Sequence, residues 1–237
     1  MNLSVPIYRL KREARLLARE QHLPLHAALD RLARREGFAA WSLLAARHAA
    51  ESPAERLLGR LKGGDLLLVT ARPGQGKTAF ALELVASAAR QGRNGMVFSL
   101  DYTVADVLGQ LQDLGFDPAG LDDRLGIDCS GAISADYIVE QLASAPAGTV
   151  IAVDYLQLLD QRRTSPPLAD QLSTLRRFAR ERKLVVAFVS QVDRSYDPAA
   201  RPMPDLADVR LPNPLDLAVF DWTCFLHAGR LQVRTAA

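Results

Sequence analysis

The chain has 237 residues, 49% of them hydrophobic and 24% charged, with 29 basic against 27 acidic side chains; these are the proportions of a folded globular protein, not of a disordered or fibrous one. No apolar run reaches the roughly 18 residues that a membrane span needs. Residues 1–10 lack a sustained apolar region with a small-residue cleavage site, so a cytoplasmic location with no membrane partner is the expectation.

The near-zero net charge hides an asymmetry: residues 1–60 carry eleven Lys/Arg against six Asp/Glu, and residues 61–237 carry eighteen against twenty-one. Within the basic front, Ile7, Leu10, Ala14 and Leu17 recur at helical spacing. Leu25, Leu29 and Leu32 do so again after Pro24, and Phe38, Trp41 and Leu44 after Gly37. This predicts a small all-α module over residues 1–50. Ser52-Pro53-Ala54-Glu55 has the form of a capping box with Pro at the first helical position, so residues 51–64 read as a linker holding a short helix that ends near Gly63-Gly64.

From Asp65 to residue 237, short apolar runs alternate with amphipathic stretches, the pattern of an α/β domain whose mostly parallel sheet is covered by helices on both faces. Strands are predicted at 66–70, 96–100, 125–129, 149–153, 184–190 and 222–226, with a terminal strand at 230–234. Helices are predicted at 77–91, 104–114, 135–144 and 168–183. Residues 192–215 hold five of the thirteen prolines and no periodicity, and a loop of that length in a compact domain is functional or mobile. Cys129 and Cys224 lie 95 positions apart with no metal-ligand spacing, and read as small buried apolar residues. Only four basic residues are Lys; the Arg forks suit phosphate or carboxylate contacts, although a coding bias toward Arg and Ala accounts for them equally well.

Ala71-Arg72-Pro73-Gly74-Gln75-Gly76-Lys77-Thr78 lies directly after an apolar strand and before an Ala/Leu-rich helix, the context a P-loop requires. Gly74 and Gly76 let consecutive N–H groups turn inward, and the helix N-terminus adds partial positive charge, so Arg72, Pro73, Gly74, Gln75, Gly76, Lys77 and Thr78 make a cradle for a polyphosphate. Lys77 would reach the β- and γ-phosphates, and the Thr78 hydroxyl would join the shell of Mg2+. The usual first Gly of the motif is Ala71 here. A second magnesium-holding group is needed at a strand end, and Asp154 follows the apolar run 150–153, although Asp128 is also a strand-end acid.

These motifs bring a family into view. Ala-Arg-Pro-Gly-Gln-Gly-Lys-Thr-Ala-Phe-Ala-Leu (71–82), Val-Phe-Ser-Leu-Asp (97–101), Val-Asp-Tyr-Leu-Gln-Leu-Leu (153–159) and Val-Ser-Gln-Val-Asp-Arg-Ser (189–195) together resemble the motor domain of DnaB-type replicative helicases. That family belongs to the RecA-like P-loop ATPases, and the resemblance spans about residues 54–227. It implies a RecA-like fold that binds and hydrolyses ATP with Mg2+, and a homo-oligomer, a hexameric ring, acting on single-stranded DNA. Lys77, Asp101, Asp154 and Gln191 are then the catalytic set, and Thr78 and Asp154 the metal set.

The resemblance also assigns finer roles. Asp101 stands where the family has the glutamate that polarises the attacking water, and its carboxylate is one methylene shorter, so slow hydrolysis is expected. The lesser alternative is that the residue caps the helix starting near Thr103. Gln191 resembles the γ-phosphate sensor that reports to a DNA-facing loop, and Arg194 and Arg201 resemble that loop's basic residues, which any solvated loop would also carry. Arg162, Arg163, Arg176, Arg177, Arg180, Arg182 and Lys183 either track a nucleic-acid backbone or form the polar face of a helix whose apolar stripe is Leu168, Leu172, Leu175 and Ala179. The family's arginine finger lies in a hairpin beyond the last strand, leaving Arg230 and Arg234 as candidates before Ala237. Residues 6–48 do not match the family's larger amino-terminal domain, and resemble instead a small helical module attached to varied bacterial proteins. Two functions follow: a magnesium-dependent ATPase related to DnaB-type helicases, or a nucleotide-dependent binding protein that turns ATP over poorly.

Overall fold

The computed structural model describes residues 5, 7–49, 52–121, 123–156, 159, 166–211 and 215–235. Strands β1 (Leu66–Ala71), β2 (Gly95–Ser99), β3 (Leu125–Asp128), β4 (Val150–Asp154), β5 (Val185–Gln191), β6 (Trp222–His227) and β7 (Arg230–Thr235) form one sheet in the order β3-β2-β4-β5-β1-β6-β7. Every neighbouring pair is parallel except β6 and β7. The helices are α1 (Ile7–Glu20), α2 (Leu25–Arg35), α3 (Trp41–Ala49), α4 (Pro53–Leu58), α5 (Lys77–Arg90), α6 (Val104–Leu114), α7 (Ala135–Gln141) and α8 (Leu168–Arg182).

The central strands β1, β4 and β5 are apolar along most of their length because both of their faces are covered. Leu67 and Val69 of β1, Val150 and Ala152 of β4, and Val185, Ala187 and Val189 of β5 join one core with α4, α5 and α6. The alternate residues Leu66, Leu68, Ile151, Val153, Val186 and Phe188 join a second core with α7 and α8. The period of two in a strand divides one continuous apolar run between two cores. The predicted stripe of α8, Leu168, Leu172, Leu175 and Ala179, faces the second core and is buried.

Residues 7–49 form three helices around their own small core, in which Leu10, Ala14, Ala28, Leu32 and Leu44 are buried. The Asp30 carboxylate accepts from the Trp41 amide at 2.8 Å and so caps α3. Ser52 caps α4 by accepting from Glu55 N at 3.1 Å. Only this half of the expected box forms, because Glu55 is drawn to Arg90 at the end of α5. Ala54, Leu57 and Leu58 then enter the sheet's first core, so the short helix packs as part of the α/β body.

Two differences from the sequence reading are local. The helix expected over 135–144 ends at Gln141, since residues 142–145 tighten into turns ahead of Pro146. Cys224 is buried, which pushes its thiol up to about 12, but Cys129, just past the end of β3, is only half-buried. No helix among the described residues is long and apolar enough to cross a membrane.

The two-sided core sets an expected energetic contrast. Leu84→Ala, at a fully buried position of α5, should cost about 2–5 kcal/mol in chemical denaturation. Leu25→Ala, at a position 46% exposed on α2, should change stability by less than about 0.5 kcal/mol.

Candidate active site

The chain leaves β1 at Ala71 and enters α5 at Lys77 through a tight turn in which Gly74 has φ +75° and Gly76 φ +91°. Both lie in the left-handed region, where a Cβ is penalised. Gly76 supplies no side-chain cap, and the first turn of α5 holds no acidic residue. The first intrahelical bond runs from Phe80 N to Gly76 O at 2.9 Å. The opening amides therefore point to an outside anion, with nothing on the helix to neutralise its positive end. Thr78 is buried and Lys77 half-buried at this point.

Two side chains of the expected cradle face elsewhere. The Arg72 guanidinium donates to Arg194 O at 2.9 Å and to Tyr196 O, and lies over the Tyr196 ring. The Gln75 Oε1 accepts from Ala228 N at 2.8 Å, in the turn between β6 and β7. Their backbone still belongs to the loop, while their side chains tie it to two neighbouring segments.

Asp154 ends β4, with β2 on one side and β5 on the other. It is 4% exposed, and its Oδ2 has no hydrogen-bond partner. Burial pushes its carboxyl above the ordinary carboxylate range; a bond from Thr78 and the charge of Lys77 pull it back, and the charge of Asp101 raises it further. An orphaned carboxylate oxygen beside a buried hydroxyl is a hard oxygen donor set, and it fits magnesium better than a soft metal. Asp101 lies two residues past β2 and is exposed. It does not cap α6: Thr103 does so, accepting from Asp106 N at 3.2 Å while its own amide donates to Asp106 Oδ2 at 2.9 Å. Asp128, the other strand-end acid, accepts from the Tyr137 hydroxyl at 2.7 Å and from Ser130 N at 2.8 Å.

Gln191 ends β5, the strand between β1 and β4, and its register partner is Ala71. Its carbonyl accepts from Arg210 N at 2.8 Å, and Val192 bridges Val209, so residues 192–209 close into a loop rooted at Gln191. That loop is internally braced. Tyr196 is buried, its hydroxyl donates to Arg201 O at 2.8 Å, and Arg201 pairs with Asp205 at 2.5 Å and Asp208 at 2.6 Å. Arg201 is thus taken up in holding the loop, whereas Arg194 is exposed.

The basic cluster around α8 sits elsewhere. The carboxyl end of α8 lies beside the amino end of β5, and Arg176 and Arg180 pair with Asp221 at 3.1 and 3.8 Å. Asp221 exchanges bonds with Leu66 at the start of β1, the end of the sheet opposite the P-loop. Arg162, Arg163, Gln157 and Leu158 lie outside the described residues. Of the two finger candidates, Arg230 is opposite His227 at the P-loop end of β6, and Arg234 is opposite Thr223 near the far end.

Sequence reading did not single out two residues that organise this region. Gln171, 2% exposed on α8, accepts from Ala135 N at 3.0 Å and donates to Leu159 O at 2.5 Å and Pro166 O at 2.9 Å. Tyr196 is the other, and its only signal was an aromatic residue inside a polar, Pro-rich stretch.

The DnaB-like helicase C-terminal domain model matches residues 53–112. A replicative DNA helicase DnaB of Buchnera aphidicola subsp. Schizaphis graminum is 27% identical over 198 residues, which cover 68% of this chain and 42% of that protein. The chain is related to the DnaB-type helicases. It spans less than half the length of that curated relative. A solved DnaB-like replicative helicase, described with its interactions with primase, superposes with a TM-score of 0.57 at 19% identity, covering 92% of this chain and 65% of that one. A KaiC-like protein from Pyrococcus horikoshii OT3 gives 0.55 at 15% identity over 73% and 80%. At such identities the likeness carries the fold, and the fold is RecA-like.

Because the folded protein raises the Asp154 pKa, the ionised carboxylate subtracts stability above that raised value, and the penalty disappears below the unfolded value of about 3.9. Asp154→Asn should therefore melt at a higher temperature than wild type without nucleotide at about pH 7.5, with the margin shrinking as pH falls toward about 4. Equal melting temperatures across that range would contradict the assignment of strain to this carboxylate.

Proposed function

We propose that the chain is a magnesium-dependent ATPase that acts on single-stranded DNA. The observation that carries the reading is the meeting of the P-loop amides, Lys77 and Thr78 with the partnerless Oδ2 of buried Asp154. In this reading residues 1–50 are a helical module, 51–64 connect it and 65–237 are the ATPase domain, working in a cytoplasmic setting.

The loop amides and Lys77 hold the polyphosphate in place. Thr78 and Asp154 would hold magnesium, which would supply charge neutralisation to the bound polyphosphate. Asp101, exposed beside Asp154, orients a water for in-line attack at the γ-phosphorus and accepts its proton. Gln191 sits between the strands that end in the P-loop and in Asp154, and its carbonyl anchors the 192–209 loop. Loss of the γ-phosphate therefore reaches that loop through Gln191. Arg194 offers the loop a charge for a DNA backbone. Arg230, exposed at the P-loop end of the last hairpin, is placed to serve a neighbouring subunit in a homo-oligomeric ring.

The exposure of Asp101 and its short side chain favour a second reading, in which ATP acts as a conformational switch with weak turnover. ATP hydrolysis by the purified chain, with and without single-stranded DNA, separates the two. DNA-stimulated turnover abolished by Lys77→Ala is the expected result; tight ATP binding with negligible turnover would select the switch. Asp101→Glu should raise turnover several-fold if reach is limiting, and an unchanged rate would remove Asp101 as the base. A strictly monomeric mass under ATP and DNA would rule out the ring.

A further inference from the structure

The basic front of the chain reaches the P-loop. A Cβ built on Gly74 would lie 2.7 Å from the Arg9 Nη2, so the guanidinium of the first turn of α1 lies against the backbone of the phosphate loop. The placement rests on more than one contact. Further along α1, Arg15 pairs with Asp113 at the end of α6, and the Lys11 Nζ lies 3.1 Å from the Cβ position of Gly115. Burial holds the Lys11 ammonium below its ordinary pKa, and Asp113 opposes that shift. Asp113 thus answers two of the cations that α1 brings to the ATPase domain.

Arg9 has no such partner: among the described residues it makes no ion pair or hydrogen bond. The loop it touches also carries Lys77 and the uncompensated N-terminus of α5. A guanidinium laid against an anion cradle can share its anion, and the planar fork suits phosphate oxygens.

We infer that Arg9 is a polyphosphate-binding residue, supplied to the P-loop by the N-terminal module of the same chain. The inference rests on the nucleotide-site reading and adds to it a ligand from outside the ATPase domain. Nucleotide binding then fastens α1 to the P-loop, and whatever displaces the module weakens the site.

The test uses calorimetric titration of the full chain with Mg-ATP and, separately, with inorganic tripolyphosphate. Arg9 is exposed, so Arg9→Ala should fold normally, and it should weaken both ligands by about tenfold. Arg9→Lys should recover part of that loss, and Arg12→Ala, an exposed neighbour on α1, should bind like wild type. Unchanged affinity in Arg9→Ala would overturn the inference while leaving the P-loop reading intact. Tighter binding would also overturn it, since Arg9 would then be blocking the cradle. An equal loss in Arg12→Ala would reduce the effect to general charge. Failure of wild type itself to bind ATP, with Lys77→Ala no different, would remove the nucleotide site and the inference together.

Discussion

Asp154 is a carboxylate that the fold buries without giving both of its oxygens a partner. An unpaired charge in such a place is costly, and the surrounding structure is arranged to keep it there. Strands on either side, both apolar on both faces, hold β4 too firmly for the side chain to swing out to water. Thr78 and Lys77, brought in from the P-loop, relieve only part of the cost. The remainder is an under-satisfied carboxylate, in keeping with the tendency of such groups to collect where chemistry occurs.

The same geometry ties the site to its neighbouring segments. In a parallel sheet all carboxyl ends open on one side, and the order β2-β4-β5-β1 sets Asp101, Asp154, Gln191 and the P-loop along that side in sequence. Side chains that a motif reading counts as phosphate ligands are used differently. Arg72 grips the 192–209 loop and Gln75 grips the β6–β7 turn. The P-loop is therefore joined to the segment bearing Arg194 and to the hairpin bearing Arg230.

Much of this was legible in the primary structure where the signal is local. Apolar runs and helical spacing located each strand and helix, because burial on two faces leaves a continuous apolar run and burial on one leaves a stripe. The P-loop was legible because glycines with positive φ and a lysine must stand at set distances from a helix start. Arg201 and the α8 cluster were not decidable in this way. An Arg in a loop has the same sequence signature whether it meets DNA or Asp205 and Asp208, and an Arg on a helix the same whether it meets DNA or Asp221. Neither Gln171 nor Tyr196 gave a periodic signal: Gln171 satisfies the distant amide of Ala135, and Tyr196 bonds to Arg201 within one irregular loop.

The amino-acid sequence by itself determined the elements, their alternation, the phosphate cradle and the identities of the acids at strand ends, because each of these depends on neighbours within a few residues. Only the tertiary structure decided which charges are spent on the fold and which remain for a ligand. It put Arg176 and Arg180 at the far end of the sheet, locked Arg201 into its own loop, gave the cap of α6 to Thr103 and not Asp101, and laid Arg9 against Gly74. The reason is physical: the worth of a charged group depends on the charges and burial around it in space, and those are fixed only when segments distant in the chain are packed together.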